Sequence, residues 1–455
     1  MQSVLAAGIL AELASSSCDN LQTGYQCDTN ISHHWGPQSP YFSVPSNISA
    51  DIPSGCTITF ANLLSRHGAR FPTTSKTEDC QDLIEQIQNQ TTSYSSEYAF
   101  IQNYTYDLGA NQLTSFGQQE MINSGIKFYN RYSALAKKYT PFFRALGDSR
   151  VVQSARNFSQ GFHGARGGSE ETYSYPIEII SESAGSNSTL YAQLCTNYED
   201  DADSDTNNDA RNTWRNEWIK PVRTRVNDNL VGADLSKDQI IYLMDLCPFE
   251  AIATANGTIS EFCDLFNETE WIYYDYYYSL DKWYEDLQGN PLGPTQGVRY
   301  GNELLARMTA NRTYVTDAAS YTSINRKLDD SQATFPLGSR HPLYADFTHD
   351  DDISSIFAAL GLYNATADLS NATLETTSQT RGYSAAWTVP FGARAYFEKM
   401  VCSGEDEELV RAIVNDRVVP LQNCDADSLG RCTLSKFVAS QAFVTTGGLW
   451  SECFN

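Results

Sequence analysis

The segment Arg66–Pro72, which reads Arg-His-Gly-Ala-Arg-Phe-Pro, constrains the fold of this chain more than any other segment. Residues 56–64 before it are β-branched and apolar, a pattern typical of a buried strand. Gly68 and Pro72 end that pattern, which places the segment in the turn beyond the strand's C-terminal end. Because open α/β sheets carry their sites at that edge, the sequence predicts an α/β fold with a functional site in this turn.

A histidine flanked by two arginines is an unusual arrangement for a structural role. Arg66 and Arg70 repel each other and disfavour protonation of His67. A bound dianion removes both difficulties, because arginine forks bind phosphate oxygens in pairs and a neutral imidazole can attack phosphorus. The alternative is a solvated basic loop with one unrelated histidine. We favour the phosphate site, since five fixed residue types at this spacing arise by chance on the order of 10⁻⁴ times in such a chain.

The dipeptide His349-Asp350 supplies what the first motif lacks. Cleavage of a phosphomonoester by a histidine nucleophile needs a separate acid that protonates the leaving oxygen, and Asp350 could donate that proton. His349 would be a further donor to phosphate oxygen. In an Asp-rich chain the dipeptide alone carries little information, and a lone buried histidine is usually structural. Its value depends on the arginine-histidine motif.

Composition and motif content exclude several classes of protein. The net charge of −24 argues against nucleic-acid binding, and no apolar run reaches the length of a membrane span. The sequence has neither a Gly-x-Ser-x-Gly elbow nor a phosphate-cradling Gly-rich loop, unlike serine hydrolases and nucleoside triphosphatases. The acidic stretch 201–206 lacks the Gly and Glu of a calcium loop, and no third ligand accompanies His33-His34. We therefore expect no metal and no cofactor.

The cysteines and glycosylation sequons indicate a secreted glycoprotein. The chain has 11 cysteines, whose pairing sequence alone cannot give. Residues 4–13 are apolar like the core of a signal peptide, although Glu12 interrupts them and no basic residue precedes them. We interpret residues 1–17 as a candidate signal remnant. The sequons include Asn30, Asn47, Asn103, Asn187, Asn267 and Asn371.

Local patterns divide the rest of the chain. A helix is predicted over Ser236–Met244 and a tyrosine-rich helix over 271–284, whereas strand-like alternation is scarce nearby. The predicted parts are a disulfide-tied N-terminal arm over 18–55, an α/β catalytic domain over 56–185 and 331–455, and a mainly helical insertion over 186–330.

Three further elements are predicted in the α/β parts. A helix begins at Ser115, with Gln118 as its capping-box partner. Arg150 starts an apolar segment and is expected on a second strand near the first. A hairpin turn is predicted at Asn415-Asp416. The residues of the Ser115 helix that share one face, and are expected in the core, are Met121, Phe128, Tyr132 and Leu135.

The chain resembles the histidine acid phosphatases, and within them the secreted fungal phytases. The resemblance runs from about Cys18 to the C-terminus and preserves order and spacing. It implies a histidine-phosphatase-like α/β body, a central mixed sheet flanked by helices, with a smaller mainly helical domain. Besides the Arg66 motif, the segments that carry it are Gly24–Cys27, Ser32–Gly36, Ser149–Val151, Asn290–Gly297, Tyr344–Asp350 and Val414–Leu421.

The resemblance also implies an activity and a set of site residues. The expected protein is a secreted, metal-independent and monomeric acid phosphomonoesterase that hydrolyses myo-inositol hexakisphosphate (phytate) through a phosphohistidine intermediate. His67 would be the nucleophile and Asp350 the general acid. The implied substrate-binding residues are Arg66, Arg70, Thr73, Arg150, His349, Lys282, Lys76 and Gln38. The implied disulfides are Cys18–Cys27, Cys56–Cys402, Cys195–Cys453, Cys247–Cys263 and Cys424–Cys432, which leaves Cys80 as the extra thiol.

The sequence departs from the fungal phytases around the outer pocket. Asp79 and Asp281 stand where a second lysine is common, Pro37-Gln38 replaces a Gln-Tyr pair, and Asp351 replaces the usual Asn. Each change lowers positive charge there, while the inner arginines are intact. The phosphatase chemistry is therefore better supported than a preference for phytate. The alternatives are a broad-specificity histidine acid phosphatase and an inactive secreted glycoprotein that binds anions.

Overall fold

A mixed eight-stranded sheet forms the centre of the molecule. The computed structural model describes residues 17–454 except 184, 193 and 201–205. The candidate signal remnant 1–17 and the acidic stretch 201–206 lie outside the described residues, apart from Ser17 and Thr206. The strands of the sheet are β1 Cys56–Arg66, β2 Phe142–Leu146, β3 Ile177–Ile180, β4 Leu343–Thr348, β5 Arg394–Cys402, β6 Leu409–Val414, β7 Arg417–Val419 and β8 Arg431–Thr433.

The strand order is β7-β6-β5-β1-β4-β2-β3, with β8 also paired to β6. Neighbours among β1, β4, β2 and β3 run parallel, whereas β5 is antiparallel to β1. Arg66 of β1 pairs with Thr348 of β4, and Leu146 of β2 pairs with Ile180 of β3. The four parallel strands therefore end at one edge of the sheet, and the residues that follow them meet there.

Two predictions about the sheet are confirmed. The predicted strand before the Arg66 motif is β1, which is almost entirely buried from Phe60 to Arg66, as expected of a central strand. The predicted hairpin joins β6 and β7 through Asn415 and Asp416, both with positive φ angles, 47° and 67°. This backbone is that of a type I′ turn, which matches the twist of the strands that it connects.

Helices cover the sheet. The longer ones are α1 Thr74–Gln90, α2 Ser115–Arg131, α3 Ser149–Ala165, α4 Thr206–Asn229, α5 Lys237–Ala253, α6 Glu268–Glu285, α7 Val298–Thr309 and α8 Asp350–Ala359. Short α-helices span Thr29–Ser32, Ser133–Ala136, Thr196–Asp200, Gly293–Gln296, Thr313–Ala318, Arg326–Asp329, Ala385–Thr388, Leu434–Ser440 and Ala442–Thr445. Short 3₁₀ helices span Gly36–Gln38, Ser96–Asn103, Glu170–Thr172, Glu261–Leu265, Gln422–Cys424 and Trp450–Phe454.

The strand predicted at Arg150 and the capping box predicted for helix α2 are both wrong. Arg150 does not lie on a strand, because the side chain of Asp148 accepts a hydrogen bond from the Arg150 N–H and caps α3. The apolar residues after Arg150 form the buried face of that helix. Helix α2 does begin at Ser115, but Thr114 is its N-cap and accepts from the Gly117 N–H. The capping box assigned to Ser115 and Gln118 is therefore wrong, because the cap lies one residue earlier and Gly117, at the N3 position, has no side chain to complete a box.

The predicted insertion is mainly helical and packs into the same core as the sheet. Helices α4, α5 and α6 and strands β1 and β4 contribute to one continuous cluster of buried hydrophobic residues. Helix α7, also within 186–330, contacts the sheet directly: Arg307 bonds Asp346 of β4, and Glu303 lies 2.6 Å from Arg144 of β2. The domain boundaries remain predictions.

Disulfides connect distant parts of the chain. Cys18–Cys27 closes the arm around a short strand pair, Asp19–Asn20 with Gly24–Tyr25, and Cys56–Cys402 joins β1 to β5. The others are Cys195–Cys453, Cys247–Cys263 and Cys424–Cys432, so the five pairs are those that the resemblance implies. Cys80 is a free thiol buried in α1. Over the described ranges, no helix is both long enough and apolar enough to cross a membrane.

Candidate active site

The residues that follow the four parallel strands converge at one edge of the sheet. His67 follows β1, His349 and Asp350 follow β4, Arg150 lies at the start of the helix after β2, and Glu182 follows β3. The rings of His67 and His349 lie 5.6 Å apart between centroids. This is the position at which open sheets with parallel strands bind their ligands.

Arg66 is fixed by neutral oxygens. Its side chain, 2% exposed, donates from Nη1 to the carbonyl oxygens of Pro37 at 2.5 Å and Val389 at 2.7 Å. Its Nη2 lies 3.2 Å from Oδ2 of Asp350. The guanidinium also lies 4.5 Å from the centroid of the Phe391 ring. The carbonyl contacts set its orientation without neutralising its charge, which Asp350 compensates in part.

The His67 imidazole is neutral and holds its proton on one defined nitrogen. Its Nδ1 lies 2.9 Å from the carbonyl oxygen of Gly68, an acceptor, so Nδ1 carries the proton and Nε2 the lone pair. Burial lowers the pKa of His67 well below its ordinary value, and the charges of Arg66 and Arg70 lower it further. A neutral imidazole with a free Nε2 is the form that can act as a nucleophile.

The turn that carries His67 is held by helices α2 and α3. The Gly68 N–H donates to Oγ of Ser154 at 3.0 Å, and the Ala69 N–H donates to the Glu120 carboxyl at 2.9 Å. Gly117 at the start of α2 lies so close that a Cβ there would be 1.9 Å from the Ala69 carbonyl oxygen. Any larger residue at position 117 would push the turn away from α2.

Arg70 completes the first motif. Its Nη1 donates to the carbonyl oxygen of Phe71 at 2.9 Å, and its guanidinium lies 5.7 Å from the Phe391 ring centroid. Burial lowers the pKa of Arg70 to about 9, with further contributions from Arg66 and Arg150, so the group is still charged at acidic and neutral pH. Phe391 thus packs beneath both arginines of the motif. The sequence offered no signal for it, because it lies outside every predicted element.

Arg150 and His349 are held by two acidic residues. Arg150 pairs with Asp148 at 2.6 Å and approaches Nδ1 of His349 at 3.4 Å. His349 Nε2 lies 3.4 Å from Glu182, whose other oxygen accepts from the Asp148 N–H at 2.8 Å. Burial tends to lower the pKa of His349, but the bond to Glu182 and the charge of Asp352 outweigh it and raise that pKa.

Glu182 was missed in the sequence analysis. It comes two residues after the apolar strand β3, so an acidic residue after a fourth parallel strand was the signal that could have identified it.

Asp350 is the first residue of α8. Its Oδ2 lies 3.2 Å from Arg66 and 3.8 Å from the Lys282 ammonium. Burial works to raise the pKa of Asp350, but Arg66 and Lys282 oppose it more strongly and hold that pKa well below its ordinary value. Asp350 is therefore ionised when no other anion neutralises these cations.

The remaining predicted residues are engaged by the protein itself. Thr73 caps α1, and its hydroxyl accepts from the Lys76 N–H at 3.4 Å. The Lys76 ammonium lies 2.7 Å from the buried carboxylate of Asp245. Lys282 contacts three further carboxylates besides Asp350. Gln38, half-buried, ends the 3₁₀ turn whose Pro37 carbonyl binds Arg66.

The structure thus brings Arg66, His67, Arg70, Arg150, His349 and Asp350 together. Two clusters of three possible metal ligands lie beside them, Asp148-Glu182-His349 and Glu285-Asp286-Asp351. In each cluster a side chain of the protein already supplies the positive charge that a metal ion would bring: Arg150 pairs with Asp148, and Lys282 pairs with Asp351. The arrangement as a whole fits a phosphate dianion: cations and donors surround a neutral imidazole, with a carboxyl group opposite.

Comparisons with known proteins identify the family of this chain. The profile of the "Histidine phosphatase superfamily (branch 2)" matches residues 57–415. The chain is 47% identical to "Phytase A" of Aspergillus awamori over 99% of this chain and 97% of that protein. It is 48% identical to "Phytase A" of Aspergillus oryzae over 96% of this chain and 94% of that protein.

Solved structures share the fold. The crystal structure of the phytase from D. castellii has a TM-score of 0.76 and 25% identity, covering 93% of this chain and 88% of that one. A multiple inositol polyphosphate phosphatase of Bifidobacterium longum, in complex with inositol hexasulfate, shares the fold with a TM-score of 0.62 and 15% identity. That match covers 90% of this chain and 97% of the other. This chain belongs to the histidine phosphatase superfamily, branch 2.

Proposed function

We propose that this chain is a phytase, a phosphomonoesterase that releases phosphate from myo-inositol hexakisphosphate through a phosphohistidine intermediate. The observation that carries the proposal is the state of His67, whose Nδ1 is bound to the Gly68 carbonyl and whose pKa is lowered well below its ordinary value. Cations surround a nucleophile that is neutral itself. The similarity to relatives named Phytase A, along nearly the whole chain, supports phytate as the substrate.

In the first step, the phosphate binds between Arg66, Arg70, Arg150 and His349. Its charge replaces the mutual repulsion of these groups with attraction, and their N–H donors stabilise the charge that develops on the equatorial oxygens. Nε2 of His67 attacks phosphorus as the bond to the ester oxygen breaks. The product is a phosphohistidine and an alcohol.

Asp350 protonates the leaving oxygen. Its carboxyl is ionised before substrate binds, because Arg66 and Lys282 lower its pKa. A phosphate dianion neutralises part of that positive charge and raises the Asp350 pKa, so the group takes up a proton as the substrate arrives. In the second step, Asp350 accepts a proton from water, which attacks phosphorus and releases phosphate and His67.

A broad-specificity acid phosphatase is the second candidate. The observation that favours it lies in the outer pocket, where Lys76 and Lys282 are both paired with carboxylates. A substrate with several phosphates would gain little from lysines that are already neutralised. The arginine clamp, in contrast, serves any phosphomonoester.

The deciding experiment is phosphate release at pH 5 from phytate and from 4-nitrophenyl phosphate, with and without a chelator. The proposal predicts a higher kcat/KM for phytate, activity that survives chelation, and a phosphoenzyme trapped by rapid quenching that His67→Ala lacks. A lower kcat/KM for phytate would favour the broad phosphatase. Loss of activity on chelation would contradict the metal-independent mechanism.

We also infer that the protein is secreted and monomeric. Five disulfides need an oxidising compartment. Asn30, Asn47, Asn103, Asn267 and Asn371, which lie in sequons, are exposed. Export from a eukaryotic host, a mass loss on deglycosylation, and a light-scattering mass of one chain are the expected results.

A further inference from the structure

Lys282 lies next to Asp350, yet carboxylates of the protein bind its ammonium. Nζ contacts Oδ1 of Asp351 and lies 3.3 Å from Asp286, 3.4 Å from Glu285 and 3.8 Å from Asp350. An ammonium has three N–H donors. The contacts to Asp351, Asp286 and Glu285 account for these donors. Lys282 is therefore fully engaged before a substrate arrives.

The three carboxylates differ in their surroundings. Asp286 is 1% exposed and accepts from the Tyr198 hydroxyl at 2.6 Å, so it belongs to the packed interior. Glu285 is 42% exposed and lies one helical turn along α6 from Lys282. Asp351 is 39% exposed and immediately follows Asp350 at the start of α8. Asp351 is thus the accessible carboxylate that directly adjoins the proposed general acid.

The cluster has more acidic groups than its lysine can balance. Burial raises the pKa of Glu285 to about 7. The charge of Lys282 lowers this pKa, whereas the charges of Asp281 and Asp351 raise it. Burial also raises the pKa of Asp286 well above its ordinary value. Glu285 therefore carries less negative charge at acidic pH than an ordinary glutamate does. Even so, a phosphate that approached Lys282 would have to displace Asp351 from the ammonium and would be repelled by its charge.

We propose that Asp351 is a specificity-determining residue, which retains the Lys282 ammonium within this cluster and withholds it from the second phosphate of a polyphosphorylated substrate. A substrate with one phosphate needs only the arginine clamp, so Asp351 affects it little. The inference deepens the proposed function and rests on it. It identifies the contact that limits the preference of this enzyme for phytate over simple esters.

Asp351→Asn tests the inference, because Asn has nearly the same shape and removes only the charge. We expect the ratio of kcat/KM for phytate to kcat/KM for 4-nitrophenyl phosphate to rise about two- to fivefold at pH 5, mainly through a lower KM for phytate. Glu285→Gln is the matched control in the same cluster. It should change the ratio less, because Glu285 makes the longer contact with the Lys282 ammonium, 3.4 Å, and is not adjacent to Asp350 in the chain.

A second background shows whether Lys282 mediates the effect. In Lys282→Met the further change Asp351→Asn should no longer raise the ratio. An unchanged or lower ratio in Asp351→Asn would overturn the inference. An equal rise in the double variant Lys282→Met with Asp351→Asn would also overturn it, because the effect would then be a general electrostatic one that does not depend on Lys282. Thermal unfolding of each variant identifies losses that come from misfolding.

Failure of the inference differs from failure of the proposed function. If the wild-type enzyme hydrolyses the aryl phosphate but not phytate, the proposed function is wrong, and the same variants are then compared on a polyol bisphosphate. A gain there in Asp351→Asn would support the role of Asp351, and no gain would overturn it. If the wild-type enzyme hydrolyses phytate and the ratio does not respond to Asp351→Asn, only the inference fails.

Discussion

The inner and outer parts of the site differ in how far carboxylates neutralise their cations. In the inner clamp of Arg66, Arg70 and Arg150, Arg66 donates to two backbone carbonyls and Arg70 to one, while Asp350 lies 3.2 Å from Arg66 and Asp148 lies 2.6 Å from Arg150. In the outer rim, which we define as Lys76 and Lys282, each ammonium is bound to carboxylates. A carbonyl oxygen orients a cation without neutralising it, whereas a carboxylate does both. Arg66 and Arg70 therefore retain positive charge for an anion, because their carbonyl partners do not neutralise it, while the charge of the outer rim is already compensated.

The largest expected effect of a substitution in the clamp is at His67. His67→Ala removes the only group that the mechanism uses to accept the phosphoryl, so kcat/KM should fall about 10⁴-fold or more on phytate and on an aryl phosphate alike. Steady-state kinetics with both substrates measure the loss. His163→Ala is the control: this half-buried histidine of α3 bonds Ser169 and Thr172, and its loss should leave the rates near wild type. Similar losses in both variants would contradict the nucleophile assignment.

The second effect separates leaving groups. Asp350→Asn removes the proton donor but keeps a similar shape beside Arg66. We expect the rate of phosphoenzyme formation to fall about 10²-fold or more with phytate, whose alkoxide is a poor leaving group, and less than about tenfold with 4-nitrophenyl phosphate. Pre-steady-state kinetics of phosphoenzyme formation measure both values. Equal losses on the two substrates would mean that Asp350 orients the phosphate instead of protonating the leaving oxygen.

The contrast between the two regions also explains what the sequence could predict. The Arg66 motif and His349-Asp350 are local patterns at strand ends, and parallel strands bring such ends together, so the inner site follows from the sequence. The apolar residues after Arg150 predict a strand, but they fit the buried face of a helix equally well. Only the cap at Asp148 distinguishes the helix from a strand. Asp245, which pairs with Lys76, and Asp351, which pairs with Lys282, lie far away in the chain, and a one-dimensional pattern does not show these pairs.

A smaller effect is expected at Glu182, which positions His349. Glu182, Asp352 and Arg150 are the charged groups that act on His349, and the bond to Glu182 contributes most to its raised pKa. Glu182→Gln should lower that pKa, so His349 loses its proton at a lower pH than in the wild-type enzyme. At pH values between the His349 pKa of the variant and that of the wild-type enzyme, inorganic phosphate should inhibit the variant about three- to tenfold more weakly than the wild type. Below both pKa values it should inhibit the two enzymes equally well.

The competitive inhibition constant of phosphate, measured across pH, tests this role. A loss of affinity that is the same at every pH would show that Glu182 acts only through packing. Glu178→Gln is a suitable control, because this residue lies on the same strand, β3, and is only partly buried.

The smallest effect on activity is expected in the outer rim, where stability should change instead. Lys76 is 24% exposed, whereas its partner Asp245 is fully buried and also accepts from the hydroxyls of Tyr274 and Tyr278. Lys76→Met leaves that carboxylate without its cation. We expect the free energy of unfolding to fall by about 2 kcal/mol, below the range for a fully buried pair because Lys76 is partly solvated. Because the Lys76 charge is already compensated, kcat/KM should change less than about twofold on either substrate.

The double variant Lys76→Met with Asp245→Asn should recover much of the stability, since the uncompensated charge is gone. Urea unfolding and steady-state kinetics on the same preparations distinguish the outcomes: a large rise in KM for phytate with unchanged stability would show that Lys76 leaves Asp245 to bind substrate, and the distinction between clamp and rim would then fail.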